Sequence, residues 1–498
     1  MFKRSVLLGF LSVITGILAT GLAGVLGLSQ LAVGLGAIAS LVAWAVVLRM
    51  EGWTIISLPS LFASLFVAYN LGPTVEMAFG SSVEKAPGLV DLLIAGRDIP
   101  LDFVALLLCI SLAAFAFGLW VSRLPIKGSA LSEKPRERGQ RVLLQSSAFY
   151  ILGVSAFVIG FSLNILDMMR VGGIQAIFMP RPERLYSLAE ARGSLPSAPF
   201  VFAGLAVASL GWLGYGRRRR GFFLGLLVLF WIALLFIQGD RRFILYTLLI
   251  FAGVAYMLFG FSLKLNIKVF LALLVLYVVF SLFGATRWML VPLFSGILRL
   301  GEAWSWFISN FSWAWFLPSS GEFMGPYFSL VMTLTEPEWL SLVNAPLFGL
   351  SYFYAIPNLL PRSVFPGEKW EPLSTQLADY VFRNYLPPEF SVPVGFGFNP
   401  IAEAIINFGA NVWAPALVFF LLGWGFGWLK DVAKRNPLPW GVIYALTMPQ
   451  AFNLNRIDFL WSFQEAVYYS VVALSLLYLA PLVVSAVHRA RKGVGGGL

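Results

Sequence analysis

The sequence predicts an all-α polytopic integral membrane protein with about 12 transmembrane helices and a long extracytoplasmic loop between spans 9 and 10. Of the 498 residues, 59% are hydrophobic and 12% are charged, whereas soluble globular domains have about a quarter of their residues charged. Apolar segments of about 20 residues, each long enough to cross a bilayer core, recur along the chain. The Lys and Arg residues concentrate in alternate connections, as expected of a chain that crosses a membrane repeatedly.

The predicted order has four parts. Residues 1–286 form transmembrane helices 1–9, 287–400 form a large outer loop with interfacial helices, 401–484 form helices 10–12, and 485–498 form a cytoplasmic tail. The expected spans are roughly 6–28, 31–48, 53–72, 101–122, 144–166, 196–216, 221–238, 242–261, 268–286, 401–428, 438–452 and 459–484.

Charge predicts the orientation of these spans. One set of connections holds 21 Lys and Arg with 4 Asp and Glu, and the rest of the chain holds 14 Lys and Arg with 20 Asp and Glu. Because basic loops stay cytoplasmic, both termini are expected inside. The run "RRRR" at 217–220 is then interpreted as a topology anchor. Twelve of the 14 outward cations are Arg, which favours anion recognition by the guanidinium fork.

Two outer loops are long enough to carry function. The first, 167–195, includes Arg181 and Arg184. The second, 287–400, has seven aromatic residues between Trp304 and Phe316, typical of a helix lying in the membrane interface, and eight prolines between Pro357 and Pro400. Loops of this length in compact proteins are usually functional or disordered, and these prolines predict a rigid path.

Arginines recur where predicted spans meet the outer side. The stretch "IQGDRRFILY" places Arg241 and Arg242 at the start of a helix, where the peptide dipole disfavours cations and favours anions. A helix N-terminus and guanidinium groups together suit a phosphate. Pairing with outer carboxylates is the alternative. Arg287, Arg362 and Arg456 occupy comparable places.

Polar residues also mark the predicted tenth span. Asn399 followed by Pro400 is a helix start signal. Glu403, Asn407 and Asn411 are spaced four apart and are expected on one face, stacked from the outer mouth inward. Helix–helix hydrogen bonding would explain them structurally, and a substrate site would explain them functionally.

The last predicted span begins with a comparable constellation. In "FNLNRIDFLWSFQEAVYY", Asp458 is predicted to cap the helix, Arg456 precedes it, and Glu465 lies two turns inside. A carboxylate at that depth needs a partner. The two interpretations are a scaffold salt bridge to an outer arginine and a functional ionisable group.

Several site classes have no sequence support. The chain has one cysteine and one histidine, Cys109 and His488, too few for a zinc centre, and no GxxxxGK[ST] motif for a nucleotide. The predictions are therefore no metal, no cofactor and no nucleic-acid partner.

With these residues in view, the chain resembles bacterial O-antigen polymerases, the Wzy family of oligosaccharide repeat-unit polymerases. The resemblance rests on the "GDRR" turn, the loop segment "IPNLLPRSVFPGEKW", the segment "GFGFNPIAEAIINFGANVWAPALVFFLLGWGFG" and "NRIDFLW" before the last span. It covers the C-terminal 60% of the chain.

The resemblance implies a metal-independent, GT-C-like membrane glycosyltransferase. It would join undecaprenyl-diphosphate-linked oligosaccharides, as donor and acceptor, on the periplasmic face of the bacterial plasma membrane. A chain-length-regulating co-polymerase is an expected partner. Catalytic roles are then expected for Arg241, Arg242, Arg287 and Glu403, with Glu403 as the base. Substrate binding is expected for Arg181, Arg184, Arg362, Asn407, Arg456 and Asp458, the last being the second candidate base.

Two other function classes stay open at this stage. A transporter or flippase for lipid-linked oligosaccharides would also have about twelve spans and outward anion sites; the missing repeat halves and the one-sided loop count against it. A ligase that moves glycans to another lipid is the third possibility, and the lack of an outer histidine counts against it.

Overall fold

The structure is a computed structural model, and it describes residues 2–80, 93–94, 96–123, 135–173, 176, 195–215, 218–238, 240–294, 298–317, 324–360, 364, 369–386 and 397–494. Within these ranges every named element is a helix, which confirms the predicted all-helical class. In chain order, the α-helices are α1 (Phe2–Val25), α2 (Ser29–Met50), α3 (Leu58–Phe79), α4 (Leu101–Ser122), α5 (Pro135–Val171), α6 (Ser197–Tyr215), α7 (Arg218–Ile237), α8 (Arg241–Phe259), α9 (Ile267–Phe294), α10 (Leu300–Asn310), α11 (Met324–Thr335), α12 (Pro337–Leu342), α13 (Leu350–Phe353), α14 (Leu373–Tyr385), α15 (Pro400–Phe408), α16 (Trp413–Arg435), α17 (Val442–Thr447), α18 (Gln450–Asn453) and α19 (Phe459–Val494).

Ten of these helices are long and apolar enough to cross a membrane, so the chain is a multi-pass membrane protein. They are α1 to α8, α16 and α19. A further helix, α9, is apolar over Ile267–Phe283 and continues to Phe294, past the expected boundary at 286. The finer arrangement of twelve spans stays a prediction.

Two expected spans have a different form in the structure. The expected span 401–428 is divided into α15 and α16, because Gly409 has a φ of +89° and ends α15 after nine residues. The expected span 438–452 is a π-turn at Pro437–Gly441 followed by the short helices α17 and α18. Prolines at 437, 439 and 449 interrupt regular helix there.

Small residues allow the spans to pack closely. A Cβ atom at Gly118 of α4 would overlap the carbonyl oxygen of Phe420 in α16, and one at Gly423 would overlap that of Phe115. Close backbone approach through small residues is the usual way in which helices associate in lipid, where the hydrophobic effect between helices is absent. The segment "LLGWGFG" therefore fixes α16 against α4.

The helix ends form two polar regions. The first, which we call the Asp240 end, is where α7 ends and α8 begins. The opposite one, the Glu51 end, has the Glu51 side chain fully buried between Arg123 and Lys430. The strand-like bridge between Thr54 and Lys264 also lies beside it.

The aromatic segment after α9 folds back along that helix. The Tyr277 hydroxyl donates to the carbonyl oxygen of Phe316 over 2.7 Å. Tyr277 precedes the end of α9 at Phe294 by 17 residues, or about 25 Å of helix. The expected interfacial segment, which contains α10 and the 3₁₀ turn Trp313–Phe316, therefore runs back beside α9 as a hairpin.

Candidate functional site

The "GDRR" turn, the helix with Glu403 and the large outer loop 287–400 all contact residues 450–465. These residues include "NRIDFLW", and we call them the hub segment. It includes α18, the start of α19 and the turn between them. Gln450, Asn453, Asn455 and Asp458 are at most 2% exposed. So many buried polar side chains in an apolar bundle require partners, because an unpaired buried polar group costs about 1–3 kcal/mol.

The first cluster on the hub segment is the Arg242 network. Arg242 Nη2 lies 3.4 Å from Glu465 Oε1, and these side chains are 19% and 15% exposed. Glu465 Oε2 accepts hydrogen bonds from the Tyr246 hydroxyl and from Asn453 Nδ2, both at 2.8 Å. Glu465 therefore has the arginine partner that its depth requires, and α8 is fixed to α19 through it.

Asp240 explains how two arginines are tolerated at the start of α8. Its carboxylate accepts a hydrogen bond from the backbone N–H of Phe243 over 3.4 Å and caps the helix. Asp240 is only 3% exposed. The negative cap and Glu465 together offset the unfavourable interaction of Arg242 with the positive end of the helix dipole.

The Arg242 network keeps unused hydrogen-bonding capacity. Arg242 Nε, Gln450 Nε2 and Asn453 Oδ1 are buried atoms without a hydrogen-bond partner among the described residues. Gln450 and Asn453 are joined to the network through a 2.9 Å hydrogen bond to each other. Two of the three unused atoms carry N–H donors, so the network can bind an additional acceptor such as a phosphate oxygen.

Two further predicted arginines lie beside this network. The guanidinium carbon of Arg241 lies 5.7 Å from the centre of the Phe283 ring of α9. That of Arg456 lies 5.5 Å from the centre of the Phe452 ring, and the Arg456 carbonyl oxygen accepts from Phe398 N. Both side chains are partly exposed. Arg241, Arg242 and Arg456 are thus held around one end of the bundle.

The second cluster is the Glu403 network. Glu403 Oε1 accepts from the Ser351 hydroxyl over 3.0 Å, and Oε2 accepts from the backbone N–H of Phe459 over 2.8 Å. Asn407 Nδ2 donates to the same Ser351 oxygen over 2.7 Å. Glu403 is 3% exposed. The network joins α13 to α15 and to the first residue of α19. Helix α13 belongs to the predicted large outer loop 287–400, which we call the late loop.

Asp458 adds a second carboxylate to this cluster. Its Oδ1 accepts from Trp461 N over 3.2 Å, which confirms the predicted helix cap. Its Oδ2 accepts from the backbone N–H and the hydroxyl of Ser374 over 3.0 and 2.7 Å. All of these donors are neutral. The Glu403 network therefore holds two buried carboxylates by hydrogen bonds from uncharged groups.

Burial, followed by the charge of Asp458, raises the pKa of Glu403 above its ordinary value. Burial likewise raises the pKa of Asp458, although the hydrogen bonds from Ser374 and Trp461 act in the opposite direction. Glu403 lies in α15, which is not among the candidate spans, and Asp458 precedes the last span. Within the part of the chain that the structure describes, neither carboxylate forms an ion pair, and two close carboxylates of this kind favour retention of a proton by the pair.

The helix start predicted at Asn399 is confirmed. Its side-chain oxygen accepts from Ile401 N over 2.9 Å, with Pro400 at the first helical position. Asn399 Nδ2 also donates to Asn70 Oδ1 over 2.6 Å, and Asn399 N donates to Ser329 Oγ over 2.8 Å. The start of α15 is therefore fixed against α3 and α11.

The expectation that Asn411 continues the face of Glu403 and Asn407 is wrong. Asn411 lies after the break at Gly409, and its side-chain oxygen accepts from Trp413 N and Ala414 N at the start of α16. It is an exposed helix cap. Only Glu403 and Asn407 share the face of α15.

Some predicted residues cannot be placed in either network. Arg181, Arg184 and Arg362 lie outside the described residues, and for Arg287 the structure describes the α9 backbone but not the side chain. Across the ranges that the structure describes, no three His, Cys, Asp or Glu side chains are grouped so that they could hold a metal ion.

Several residues of these networks were not predicted. Tyr246 lies one turn after Arg242, and Asp240 precedes it, so helix spacing and capping could have indicated both. Ser351 and Ser374 lie 52 and 84 residues from the carboxylates that they contact. Nothing in their local sequence signals that contact.

The comparisons with known proteins add no assignment: the chain matches no protein-family model, and neither the curated proteins nor the solved structures include a significant match.

Proposed function

We propose that the protein is a membrane glycosyltransferase that polymerises undecaprenyl-diphosphate-linked oligosaccharide repeat units on the outer face of the bacterial plasma membrane. The proposal takes its reaction class from the resemblance to repeat-unit polymerases. The twelve-span, GT-C-like architecture and the cytoplasmic location of both termini belong to the same proposal.

The observation that supports it is the convergence on the hub segment. The "GDRR" turn reaches the hub through Arg242 and Glu465. The helix with Glu403 reaches it through Phe459 N, and the preceding Phe398 through Arg456 O. The late loop reaches it through Ser374. Sequence places up to 219 residues apart therefore form one hydrogen-bonded assembly that joins guanidinium groups to carboxylates.

The chemistry requires both kinds of group. The hydroxyl oxygen of an acceptor sugar attacks the anomeric carbon of the donor sugar, and the bond from that carbon to the diphosphate breaks. Negative charge develops on the departing diphosphate. Fixed cationic donors stabilise such charge because they need no reorganisation during the reaction. Arg242, with Arg241 and Arg456 nearby, is assigned this role, and Arg287 and Arg362 stay further candidates.

The proton of the attacking hydroxyl goes to a carboxylate. Glu403 is the first candidate base and Asp458 the second; the base acts in its deprotonated form, and a carboxylate with a raised pKa is a stronger base than an ordinary one. Both Glu403 oxygens are occupied in this structure. The base role therefore requires the Ser351 contact to open when the acceptor binds, which moves α13 of the late loop.

The test uses purified protein in liposomes. Lipid-linked oligosaccharides extracted from the cells that make the protein are added with EDTA, and the glycan products are separated on a gel. The matched pair is Arg242→Ala and Arg219→Ala, an exposed arginine at the Glu51 end of α7. A ladder of lengths that persists in Arg219→Ala and disappears in Arg242→Ala supports the proposal.

Two results contradict polymerisation. If the glycan crosses the bilayer without elongation, the protein is a transporter. If it is moved once to a different lipid, the protein is a ligase. Arg242 would then have a gating role in the transporter and an anion-binding role in the ligase.

A further inference from the structure

Helices α7 and α9 touch at the Asp240 end. The rings of Phe236 in α7 and Phe283 in α9 have centroids 4.8 Å apart. The guanidinium of Arg241, the first residue of α8, lies over the Phe283 ring. This aromatic contact therefore lies directly beside the arginine turn.

Toward the N-terminus of α7, the face that makes this contact is exposed. Leu229 and Leu226 precede Phe236 by seven and ten residues, so they lie on the same side of α7, about 10 and 15 Å away. They are 64% and 48% exposed. If α9 followed α7 along its whole length, it would cover both side chains.

Helix α9 shows the same divergence. All six residues from Leu271 to Leu276 are exposed, and six residues cover more than a full turn of helix. At this level, about 10–18 Å from Phe283, no face of α9 is therefore covered by the other residues that the structure describes. Both helices run from the Glu51 end toward the Asp240 end, since α9 begins next to Lys264. The two helices therefore separate between the Phe236–Phe283 contact and the Glu51 end.

The two helices consequently enclose a wedge that is open to the bilayer. We call it the α7–α9 wedge; it is lined by Leu226 and Leu229 on one side and by Leu271–Leu276 on the other. The side chains named as its lining are aliphatic, and its closed end carries Phe236, Phe283 and Arg241. An amphiphile that fits has a long hydrocarbon chain and an anionic head group.

We propose that the α7–α9 wedge holds the isoprenoid chain of the diphosphate-linked substrate, with the diphosphate beside Arg241 and Arg242. This inference rests on the proposed function for the identity of the substrate. The positive charge at the closed end favours an anionic head group there. The apolar walls favour a hydrocarbon chain such as the first isoprene units. Ordinary phospholipid in the wedge is the competing occupant.

Photocrosslinking in liposomes distinguishes these occupants. p-Benzoylphenylalanine replaces Leu229 or Val275 in separate variants, and the probe is radiolabelled undecaprenyl diphosphate. The control is Leu18 of α1, which is 68% exposed and comparable with Leu229 at 64% and Val275 at 63%. We expect both wedge positions to capture about tenfold more probe than Leu18, a ratio that corresponds to a preference of about 1.4 kcal/mol.

Equal capture at all three positions would overturn the inference, because the wedge would then hold bulk lipid. An elongation assay on the unaltered protein and on the Leu18 control variant separates this failure from failure of the proposed function. If the protein elongates the glycan but all three positions capture the probe equally, the proposed function stands and the wedge is not the isoprenoid site. Preferential capture without elongation supports the wedge as a polyprenyl diphosphate site and contradicts polymerisation.

Discussion

Glu51 and Glu403 are both buried glutamates, but their surroundings give them different properties. Glu51 lies between Arg123 and Lys430. Burial alone would raise its pKa, yet these cations lower it below the ordinary value. Glu403 has only neutral donors and a neighbouring carboxylate, and its pKa is raised. A buried carboxylate with cations is a fixed anion, whereas one without them can exchange a proton.

Because of this difference, a buried glutamate has a structural role at position 51 and can have a chemical role at position 403. The Glu51 end joins α2, α4 and α16 through complete ion pairs and leaves little capacity for a ligand. The Arg242 network is intermediate, because Glu465 has one cation and two neutral donors. The Glu403 network has no ion pair among the residues that the structure describes. From Glu51 to Glu403, the stability that comes from charge pairing decreases.

Glu51→Gln should give the largest effect. It leaves Lys430 and Arg123 without their buried counter-charge, and breaking a buried pair costs about 3–5 kcal/mol. Thermal unfolding in detergent, followed by circular dichroism, measures the loss. The control is Glu338→Gln, an exposed glutamate. If both variants unfold at the same temperature as the unaltered protein, the ion pairs do not hold the three helices together.

Arg242→Ala should give the next largest effect, on activity. Removing one donor to a developing negative charge reduces turnover on the order of 100-fold to 1,000-fold. The variant also leaves Glu465 without its cation, so stability should fall as well. Elongation rate and unfolding temperature are measured on the same preparation.

The double variant Arg242→Ala/Glu465→Gln separates the two roles of Arg242. It removes the uncompensated charge, so stability should recover while elongation stays low. If elongation recovers together with stability, Arg242 acts only as a scaffold for Glu465, like the cations around Glu51.

The third prediction concerns pH. Because the pKa of Glu403 is raised above 4.5, the folded protein keeps a proton that the unfolded chain has lost. The resulting stability is fully present below the unfolded pKa and is lost as the pH rises through the folded pKa. Glu51 has the opposite sign: its contribution is lost as the pH falls through its lowered pKa.

Glu403→Gln should therefore remove the loss of stability on the alkaline side and leave the acid side unchanged. Unfolding temperatures across a pH series, with Glu338→Gln as the matched control, measure this. An unchanged alkaline slope would show that the proton is not held at Glu403. If Glu403→Gln also elongates the glycan at the normal rate, Glu403 is not the base.

The sequence predicted the parts of these networks that depend on local rules. The caps at Asn399 and Asp458 follow from short-range hydrogen bonding, and the need of Glu465 for a partner follows from its position in an apolar helix. The break at Gly409 was missed, although glycine is the residue most often found just past the end of a helix. The division of α15 from α16 therefore did not require tertiary information.

The contacts of Ser351 and Ser374 could not be predicted in that way. Each serine lies in a loop whose path depends on how several spans pack, and the hydroxyl has no periodic or capping signal of its own. The same holds for the separation of α7 and α9, since both helices have apolar sequences on every face. The exposure of their side chains depends on where the neighbouring helices end, and the local sequence pattern does not indicate that.

The smallest predicted effect compares these two serines. Ser351→Ala removes the hydroxyl that donates to Glu403 and accepts from Asn407, so it should cost about 1 kcal/mol of stability. Ser374→Ala should cost less, because Asp458 keeps the hydrogen bonds from Ser374 N and Trp461 N. Thermal unfolding of both variants measures the difference. A larger loss for Ser374→Ala would mean that Asp458, and not Glu403, is the carboxylate through which the late loop is held against the last span.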